Sequence, residues 1–242
     1  MSRLFVVRHG QARFLTDDYD RLSDLGKQQS EALGQAWLTA SIRPLRAYAG
    51  TLERQRDTAA GVAAAFGGAD IAFPETEVVA GLDEYPADEL IAELVPRLRR
   101  DDPAVDRAAS EFESATDDAA RYRPVHRLLE AVMRAWVAGD YPLDSVSLPT
   151  WTDFSGGVRQ ALRSIMSEAP RSADVAVFTS GGPIGITVQT VLEAPEIKAA
   201  ELNWRVHNAS VTALTFSGSG ARISLDSFND VAHLGPEMRT FR

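Results

Sequence analysis

The chain has 242 residues, of which 45% are hydrophobic and 24% are charged. This composition is typical of a globular protein with one large domain, and it excludes disordered, collagen-like and coiled-coil classes. The 25 Lys and Arg residues and 34 Asp and Glu residues give a net charge of −9, which disfavours binding to nucleic acids or anionic lipid. Because the sequence contains no cysteine, disulfides, thiol nucleophiles and iron–sulfur sites are excluded.

The N-terminal residues show no pattern of a targeting segment. The apolar run at residues 4–7 ends at Arg8 and is too short for the hydrophobic region of a signal peptide. No other stretch of the sequence approaches the length of a transmembrane helix. We therefore expect a cytoplasmic protein without a membrane partner.

The first third of the chain alternates predicted strands and helices. Residues 4–7 form a β-branched and aromatic run, which predicts a strand buried on both faces. Ser23 is placed to open a helix with apolar residues on one face. Residues 46–50 predict a second strand, after which Thr51 is placed to cap a second helix. Residues 78–80 predict a short third strand.

Residues 85–150 have a helical pattern throughout. The segment at residues 101–103 breaks this pattern with two aspartates and a proline, and residues 115–123 are polar and loosely patterned. We interpret residues 85–150 as a helical insertion within a single domain of residues 1–242. Loops and insertions on a rigid scaffold often select the ligand, so we expect this segment to cover the site as a lid.

The last third of the chain returns to alternating elements. Residues 175–178 predict a strand, and residues 185–192 predict a helix. Two further strands, at residues 210–216 and 222–228, are joined by a predicted turn at residues 217–220. Strands that alternate with helices predict an α/β fold with a mostly parallel central sheet.

Four predicted strand ends carry reactive or anion-binding groups. They are residues 8–10, 51–54, 83–84 and 180–182. Ligands of open α/β sheets bind at the carboxyl ends of the strands, so we expect these four segments to meet in one crevice.

Arg8, His9 and Arg54 carry the most specific chemistry in these segments. Two guanidinium groups match a phosphoryl dianion, because each donates parallel hydrogen bonds of fixed geometry. A neutral imidazole can attack phosphorus while neighbouring cations stabilise the equatorial oxygens, so no metal is required. Gly10 would let the backbone approach a ligand without a Cβ atom. Considered alone, His9 could instead be a core histidine bonded to a backbone carbonyl.

Glu84 is the predicted proton carrier. It can protonate a departing alkoxide and then accept a proton from the water that hydrolyses a phosphohistidine. Asp83 competes for this role, but adjacent residues on extended chain point to opposite sides. We therefore expect only one of the two carboxylates to face the site.

The other histidines are predicted to be structural. His126, His207 and His233 show no helical pair spacing with His9 and have no associated cysteine, so we expect no metal site. A dinucleotide-binding glycine loop is also missing from the sequence, and we expect the protein to use no cofactor.

The chemistry-bearing segments resemble those of the histidine phosphatase superfamily, which includes phosphoglycerate mutases and many phosphatases. The resemblance covers nearly the whole chain outside the insertion, and it implies a three-layer sandwich of the phosphoglycerate mutase type. Arg-His-Gly after an N-terminal strand is a weak pattern alone, whereas the whole ordered set is specific. The set consists of RHG (residues 8–10), LSDLGKQQ (22–29), GTLERQRDTA (50–59), LDE (82–84), NASVT (208–212) and HL (233–234).

The resemblance also implies residue roles. His9 would be the phosphorylated nucleophile, Arg8 and Arg54 the phosphate clamps, and Glu84 the proton donor. Where the family usually has a second histidine, this chain has Ser180. A neutral hydroxyl there replaces a donor that could carry charge.

The residues after Ser180 predict a further phosphate contact. Ser180 resembles a helix N-cap with a proline in the first helical turn. The free N–H groups of Gly181 and Gly182 could then bind a phosphate oxygen at the helix end. Loss of one preorganised donor in comparable sites lowers the rate by roughly a hundredfold to a thousandfold.

Three functions follow from these patterns. The first is a metal-independent phosphomonoester hydrolase that acts on a small phosphorylated substrate through phosphohistidine at His9. The second is a phospho-ligand-binding protein that keeps the arginines but has weak or no catalysis because of Ser180, and the third is mutase-type phosphotransfer. A serine hydrolase is disfavoured, because Phe178 stands where the nucleophile elbow requires glycine.

Overall fold

The structure is a computed structural model that describes residues 1–13, 20–144, 147–217 and 222–241. Its chain divides into two compact units. One unit combines residues 1–84 with residues 157–242, and the other consists of residues 85–156.

The first unit is built on a six-stranded sheet with the strand order β3–β2–β4–β1–β5–β6. The strands are β1 (Ser2–Arg8), β2 (Pro44–Ala49), β3 (Thr76–Val78), β4 (Asp174–Thr179), β5 (Val211–Phe216) and β6 (Ile223–Asp230). Strands β1 to β4 pair in parallel, whereas β5 and β6 pair antiparallel at one edge. The predicted α/β fold with a mostly parallel sheet is therefore confirmed.

Helices connect the strands and form the second unit. They are α1 (Asp24–Thr39), α2 (Glu53–Gly68), α3 (Ala87–Asp101), α4 (Pro103–Ser114), α5 (Asp118–Ala138), α6 (Trp151–Glu168), α7 (Gly181–Val191) and α8 (Ile197–Asn203). Short 3-10 helices occur at Ala80–Leu82 and Pro236–Met238.

The main core lies between the sheet and the helices α1 and α2. On β1, Phe5 and Val7 belong to one buried cluster together with Trp37 of α1 and Phe178 of β4. The ring centroids of Phe5 and Trp37 are 5.6 Å apart, and those of Trp37 and Phe178 are 6.2 Å apart. Residues of β1 on the opposite face are also buried. The strand is thus covered on both sides, as its continuous apolar run predicts.

Helix α7 packs against β1 and β6 and is buried along nearly its whole length. A helix that is apolar all around is typical of a protein core rather than a surface. Only Ser180 separates the end of β4 from the first residue of α7, so the sheet fixes where the helix begins.

The second unit has its own aromatic core. Trp136 of α5 lies 5.5 Å from Tyr85 and 5.2 Å from Trp151 between ring centroids, and its Nε1 donates to the Pro149 carbonyl at 3.0 Å. The predicted break between α3 and α4 is present at Asp102, whose carboxylate accepts from the Ala104 N–H at 2.8 Å and caps α4.

Several predicted boundaries were wrong for identifiable reasons. Thr51 does not cap α2, because Leu52 is the N-cap residue and the Thr51 hydroxyl donates to Asp83 at 2.6 Å. The third strand is Thr76–Val78, and the chain then turns into a 3-10 helix. Helix α5 already begins at Asp118, within the segment predicted as loosely patterned. Helix α8 was not predicted, and residues 218–220 of the predicted turn lie outside the described residues.

Among the described residues, no helix has the length and apolar character needed to span a membrane.

The buried aromatic cluster around β4 predicts a large loss of stability for Phe178→Ala. Phe178 is fully buried and contacts the rings of Trp37 and Phe73. Its truncation should lower the free energy of unfolding by about 3–5 kcal/mol, measured by urea denaturation. Leu45→Ala, in an exposed position on β2, is the control and should change it by less than about 0.5 kcal/mol. Equal losses for both variants would contradict this view of the core.

Candidate active site

The four predicted segments lie at the carboxyl edge of the sheet. In the sheet register Val7 of β1 and Ala49 of β2 both align with Phe178 of β4, so the residues after them leave the sheet side by side. The His9 N–H donates to the Thr179 carbonyl at 2.8 Å, which extends this alignment one residue beyond β1.

The hydrogen bonds of the His9 ring define its tautomer. Nδ1 lies 2.7 Å from the Gly10 carbonyl oxygen, so Nδ1 carries the proton and donates it. Nε2 is then unprotonated, and it accepts a hydrogen bond from Arg54 Nε at 3.3 Å. The lone pair of Nε2 therefore faces a guanidinium group.

The pKa of His9 is held well below its usual value of 6.5. Burial is the main cause, since the residue is only 4% exposed, and the positive charges of Arg54 and Arg8 add to it. A backbone hydrogen bond to Gly10 acts in the opposite direction. The ring is therefore neutral at physiological pH, which is the state that a nucleophile requires.

Arg54 lies in the first turn of α2, and its side chain is turned back towards His9. Arg54 Nη1 forms an ion pair with Asp20 at 2.7 Å, and the second oxygen of Asp20 accepts from the Glu53 N–H at 2.7 Å. Sequence reasoning missed Asp20, because no local pattern links a loop carboxylate to an arginine 34 residues away.

Thr58 ties this arginine to the turn after β1. Its hydroxyl donates to the Arg54 carbonyl at 2.7 Å and accepts from the Gly10 N–H at 2.9 Å. Thr58 was also missed, although its spacing of one helical turn from Arg54 could have pointed to it.

Gly10 is required by the protein itself. A Cβ at this position would lie 2.5 Å from the carbonyl oxygen of Gly26, at the start of α1. Close backbone packing is therefore one reason for this glycine, and its approach to a ligand stays a prediction.

Arg8 ends β1, and its Nη1 donates to the carbonyl of Val206. Its charge lies near enough to His9 to contribute to the lowered pKa of the imidazole. Arg54 thus contacts the histidine directly, whereas Arg8 acts on it through its charge.

The two neighbouring carboxylates have different partners. Asp83 accepts from the Thr51 N–H at 2.5 Å and from the Thr51 hydroxyl at 2.6 Å. Glu84 accepts from the Gly182 N–H at 3.1 Å, at the first turn of α7. The predicted segments at residues 83–84 and 180–182 are therefore in direct contact.

Ser180 is the N-cap residue of α7, but its side chain makes no cap hydrogen bond. Instead its buried hydroxyl accepts from the Gln55 side-chain amide at 2.8 Å. The next residue, Gly181, leaves space for α8, because a Cβ there would lie 1.9 Å from Asn203 Oδ1. Ser180 and Gly181 were predicted from the sequence, whereas Gln55, which follows Arg54, was not.

The remaining histidines have other surroundings. His207 packs its ring on Phe241 at 3.9 Å between centroids, and its Nδ1 lies 3.3 Å from Asn229 Oδ1. Burial lowers the pKa of His233. His126 lies in the second unit, where its ring is 4.7 Å from that of Tyr122. Within the described part of the chain no group of three or more His, Asp and Glu residues could hold a metal ion.

The lowered pKa of His9 predicts that its ring stays neutral in mildly acidic solution. Between its folded and unfolded pKa values, His9 binds more protons in the unfolded chain than in the folded one. The free energy of unfolding is therefore higher above about pH 6.5 and decreases as the pH falls below this value. The Cε1–H resonance of His9, assigned by its loss in His9→Asn, should keep its neutral position in NMR spectra from about pH 8 to about pH 6. A titration midpoint at or above pH 6.5 would contradict the assigned environment.

Comparisons with solved structures show the same fold at low sequence identity. The phosphoserine phosphatase of Entamoeba histolytica, a mutant in complex with phosphoserine, is 18% identical with a TM-score of 0.60, covering 97% of this chain and 100% of that chain. The mycobacterial glucosyl-3-phosphoglycerate phosphatase in complex with inorganic phosphate is 20% identical with a TM-score of 0.59, covering 96% and 99%. YhfR of Bacillus stearothermophilus is 17% identical with a TM-score of 0.63, also covering 96% and 99%.

Sequence comparisons give the family. No curated protein matches the sequence. The family model of the histidine phosphatase superfamily (branch 1) matches residues 4–131 and 89–230, which together span most of the chain. The chain therefore belongs to the histidine phosphatase superfamily.

Proposed function

We propose that the protein is a metal-independent phosphomonoester hydrolase that works through a phosphohistidine on Nε2 of His9. One observation carries this proposal. Nδ1 of the ring is bonded to the Gly10 carbonyl, so the unprotonated Nε2 is directed at the Arg54 guanidinium. A buried neutral imidazole beside a cation fits nucleophilic attack on a phosphoryl group.

The first step transfers the phosphoryl group to the protein. The Nε2 lone pair of His9 forms a bond to phosphorus, while the bond from phosphorus to the leaving-group oxygen breaks. Glu84, in its protonated form, gives its proton to the departing alkoxide. Arg8 and Arg54 stabilise the negative charge on the equatorial oxygens.

The second step releases phosphate. A water molecule attacks the phosphorus of the phosphohistidine, and the Glu84 carboxylate accepts a proton from that water. The nitrogen–phosphorus bond breaks, its electron pair returns to Nε2, and inorganic phosphate leaves. Glu84 is then protonated again and His9 neutral, as at the start of the cycle.

The N-terminus of α7 is the proposed further phosphate contact, at Ser180, Gly181 and Gly182. In the structure the Gly182 N–H donates to Glu84. A phosphate oxygen can accept from this N–H only if Glu84 gives up the bond, which would free its carboxyl group for the leaving oxygen.

Family membership and the similar structures support a small phosphorylated substrate. Two of the similar structures are a phosphoserine phosphatase with phosphoserine and a glucosyl-3-phosphoglycerate phosphatase with inorganic phosphate. Substrate selection by residues 85–150, acting as a lid, is part of the same proposal. In this segment Arg97 pairs with Glu93, Arg99 with Asp106 and Arg127 with Glu111, so these arginines have carboxylate partners.

A phospho-ligand-binding protein with little catalysis is the second candidate. The observation in its favour is Ser180, whose buried hydroxyl is bonded to Gln55 where a charged imidazole could otherwise stand. Both candidates predict phosphate binding, so only turnover distinguishes them.

The hydrolase predicts turnover of p-nitrophenyl phosphate in the presence of EDTA. Because His9 is the proposed nucleophile, His9→Ala should lower the rate by on the order of a thousandfold or more. Nitrophenol release at pH 7 measures the rate, and acid-labile phosphate trapped on the wild-type protein tests the intermediate.

The control is His207→Ala, which removes a histidine outside the proposed site and should leave the rate nearly unchanged. Equal background rates for the wild type and His9→Ala, together with phosphate binding by the wild type, would favour the binding protein instead.

A further inference from the structure

Gln55 lies where three segments of the candidate site meet. It follows Arg54 in α2 and is fully buried. Its side-chain Nε2 donates to the Leu82 carbonyl at 3.1 Å and to the Ser180 hydroxyl at 2.8 Å. One amide group therefore connects the arginine segment, the segment before Glu84 and the end of β4.

The surroundings fix the orientation of this amide. A carbonyl oxygen such as that of Leu82 can only accept, so the nitrogen of Gln55 must face it rather than the oxygen. Gln55 Oε1 lies on the other side, near Gly50. A Cβ at Gly50 would be 1.9 Å from this oxygen and 2.4 Å from Asp83 Oδ1, so a glycine is needed there.

The bonds of Gln55 extend to Glu84 through its neighbours. The Leu82 carbonyl, two residues before Glu84, also accepts from the Thr179 hydroxyl at 2.5 Å. Glu84 itself accepts from the Gly182 N–H, two residues after Ser180. Gln55 thus binds two segments that involve Glu84. The Leu82 segment contains Glu84, and the Ser180 segment contacts it through Gly182.

We propose that Gln55 is a positioning residue that holds Glu84 at the leaving-group side of the site while Arg54 binds the phosphoryl group. This inference rests on the proposed function, because it assigns Gln55 a role in the step in which Glu84 gives its proton to the leaving oxygen. Gln55 and Arg54 are adjacent, so the proton donor and the arginine are placed by the same turn of α2.

The test uses the dependence on the leaving group. A poor leaving group such as phenol, whose pKa is near that of tyrosine at about 10, requires a proton from the acid, whereas the more acidic p-nitrophenol requires it much less. Gln55→Met keeps the side-chain length but removes both donated hydrogen bonds. Values of kcat/KM are measured for phenyl phosphate and p-nitrophenyl phosphate.

We expect Gln55→Met to lower kcat/KM for phenyl phosphate by roughly 10- to 100-fold, and that for p-nitrophenyl phosphate by less than about threefold. Glu84→Gln, which removes the proton donor itself, should show the same selectivity with a larger loss. Gly50→Ala should act in the same direction as Gln55→Met, because its Cβ would displace the Gln55 amide.

Gln189→Met is the matched control. Gln189 is also buried, its Oε1 accepts from Arg159 at 3.0 Å and its Nε2 donates to the Ala194 carbonyl, at the far end of α7. Both methionine variants should lose a few degrees in Tm. Only Gln55→Met should change the ratio of the two kcat/KM values, which a purely structural role would leave unchanged.

The outcomes separate this inference from the proposed function. Wild-type activity that depends on His9, with an equal loss on both substrates in Gln55→Met, would overturn the inference alone. Absence of His9-dependent activity would overturn the proposed function instead. Independently of turnover, a crystal structure of ligand-free Gln55→Met tests how Gln55 places Glu84. Glu84 should have lost its hydrogen bond to the Gly182 N–H, and an unchanged contact would overturn the inference.

Discussion

The candidate site depends on how the backbone of His9 is held beyond the end of β1. Its N–H donates to Thr179 at 2.8 Å, and its carbonyl accepts from the Ala209 N–H at 3.1 Å and the Asn208 amide at 3.3 Å. These bonds satisfy the backbone of a residue that has left the sheet but remains buried. The position from which the His9 side chain extends is therefore fixed, and the bond of its ring to Gly10 turns Nε2 towards Arg54. The same backbone arrangement therefore accounts for both the burial of His9 and the tautomer of its ring.

Features set by local sequence were predictable. The apolar run of β1 predicted a strand covered on both faces, and Ser23 is the N-cap of α1, with its hydroxyl accepting from the Gly26 N–H at 3.0 Å. The meeting of the strand ends was also predictable, because parallel strands place their carboxyl ends at one edge. Arg54 could be placed near His9 by this rule alone, since it lies in the first turn of the helix after β2.

Contacts between residues distant in sequence were not predictable. Thr51 has the sequence of a helix cap, but the carboxylate of Asp83 binds it instead, and that contact joins two different strand ends. Asp20 and Gln55 were missed for the same reason, because their partners lie 34 and 125 residues away. Ser180 combines a predictable and an unpredictable feature. Its N-cap position follows from the local sequence, whereas the partner of its hydroxyl depends on the assembled sheet.

The pair of Arg54 and Asp20 bears on how long an anion would stay bound in the proposed site. The guanidinium already carries a carboxylate at 2.7 Å, and the Glu53 N–H holds that carboxylate in place. Under the proposed function, a phosphoester bound at Arg54 would exchange with this internal counter-ion, and the affinity it gains would be only the difference between two ion pairs. When inorganic phosphate departs in the proposed reaction, Asp20 would pair with the guanidinium again. Such an internal competitor would shorten the residence of the product, which suits the proposed turnover better than storage of a ligand.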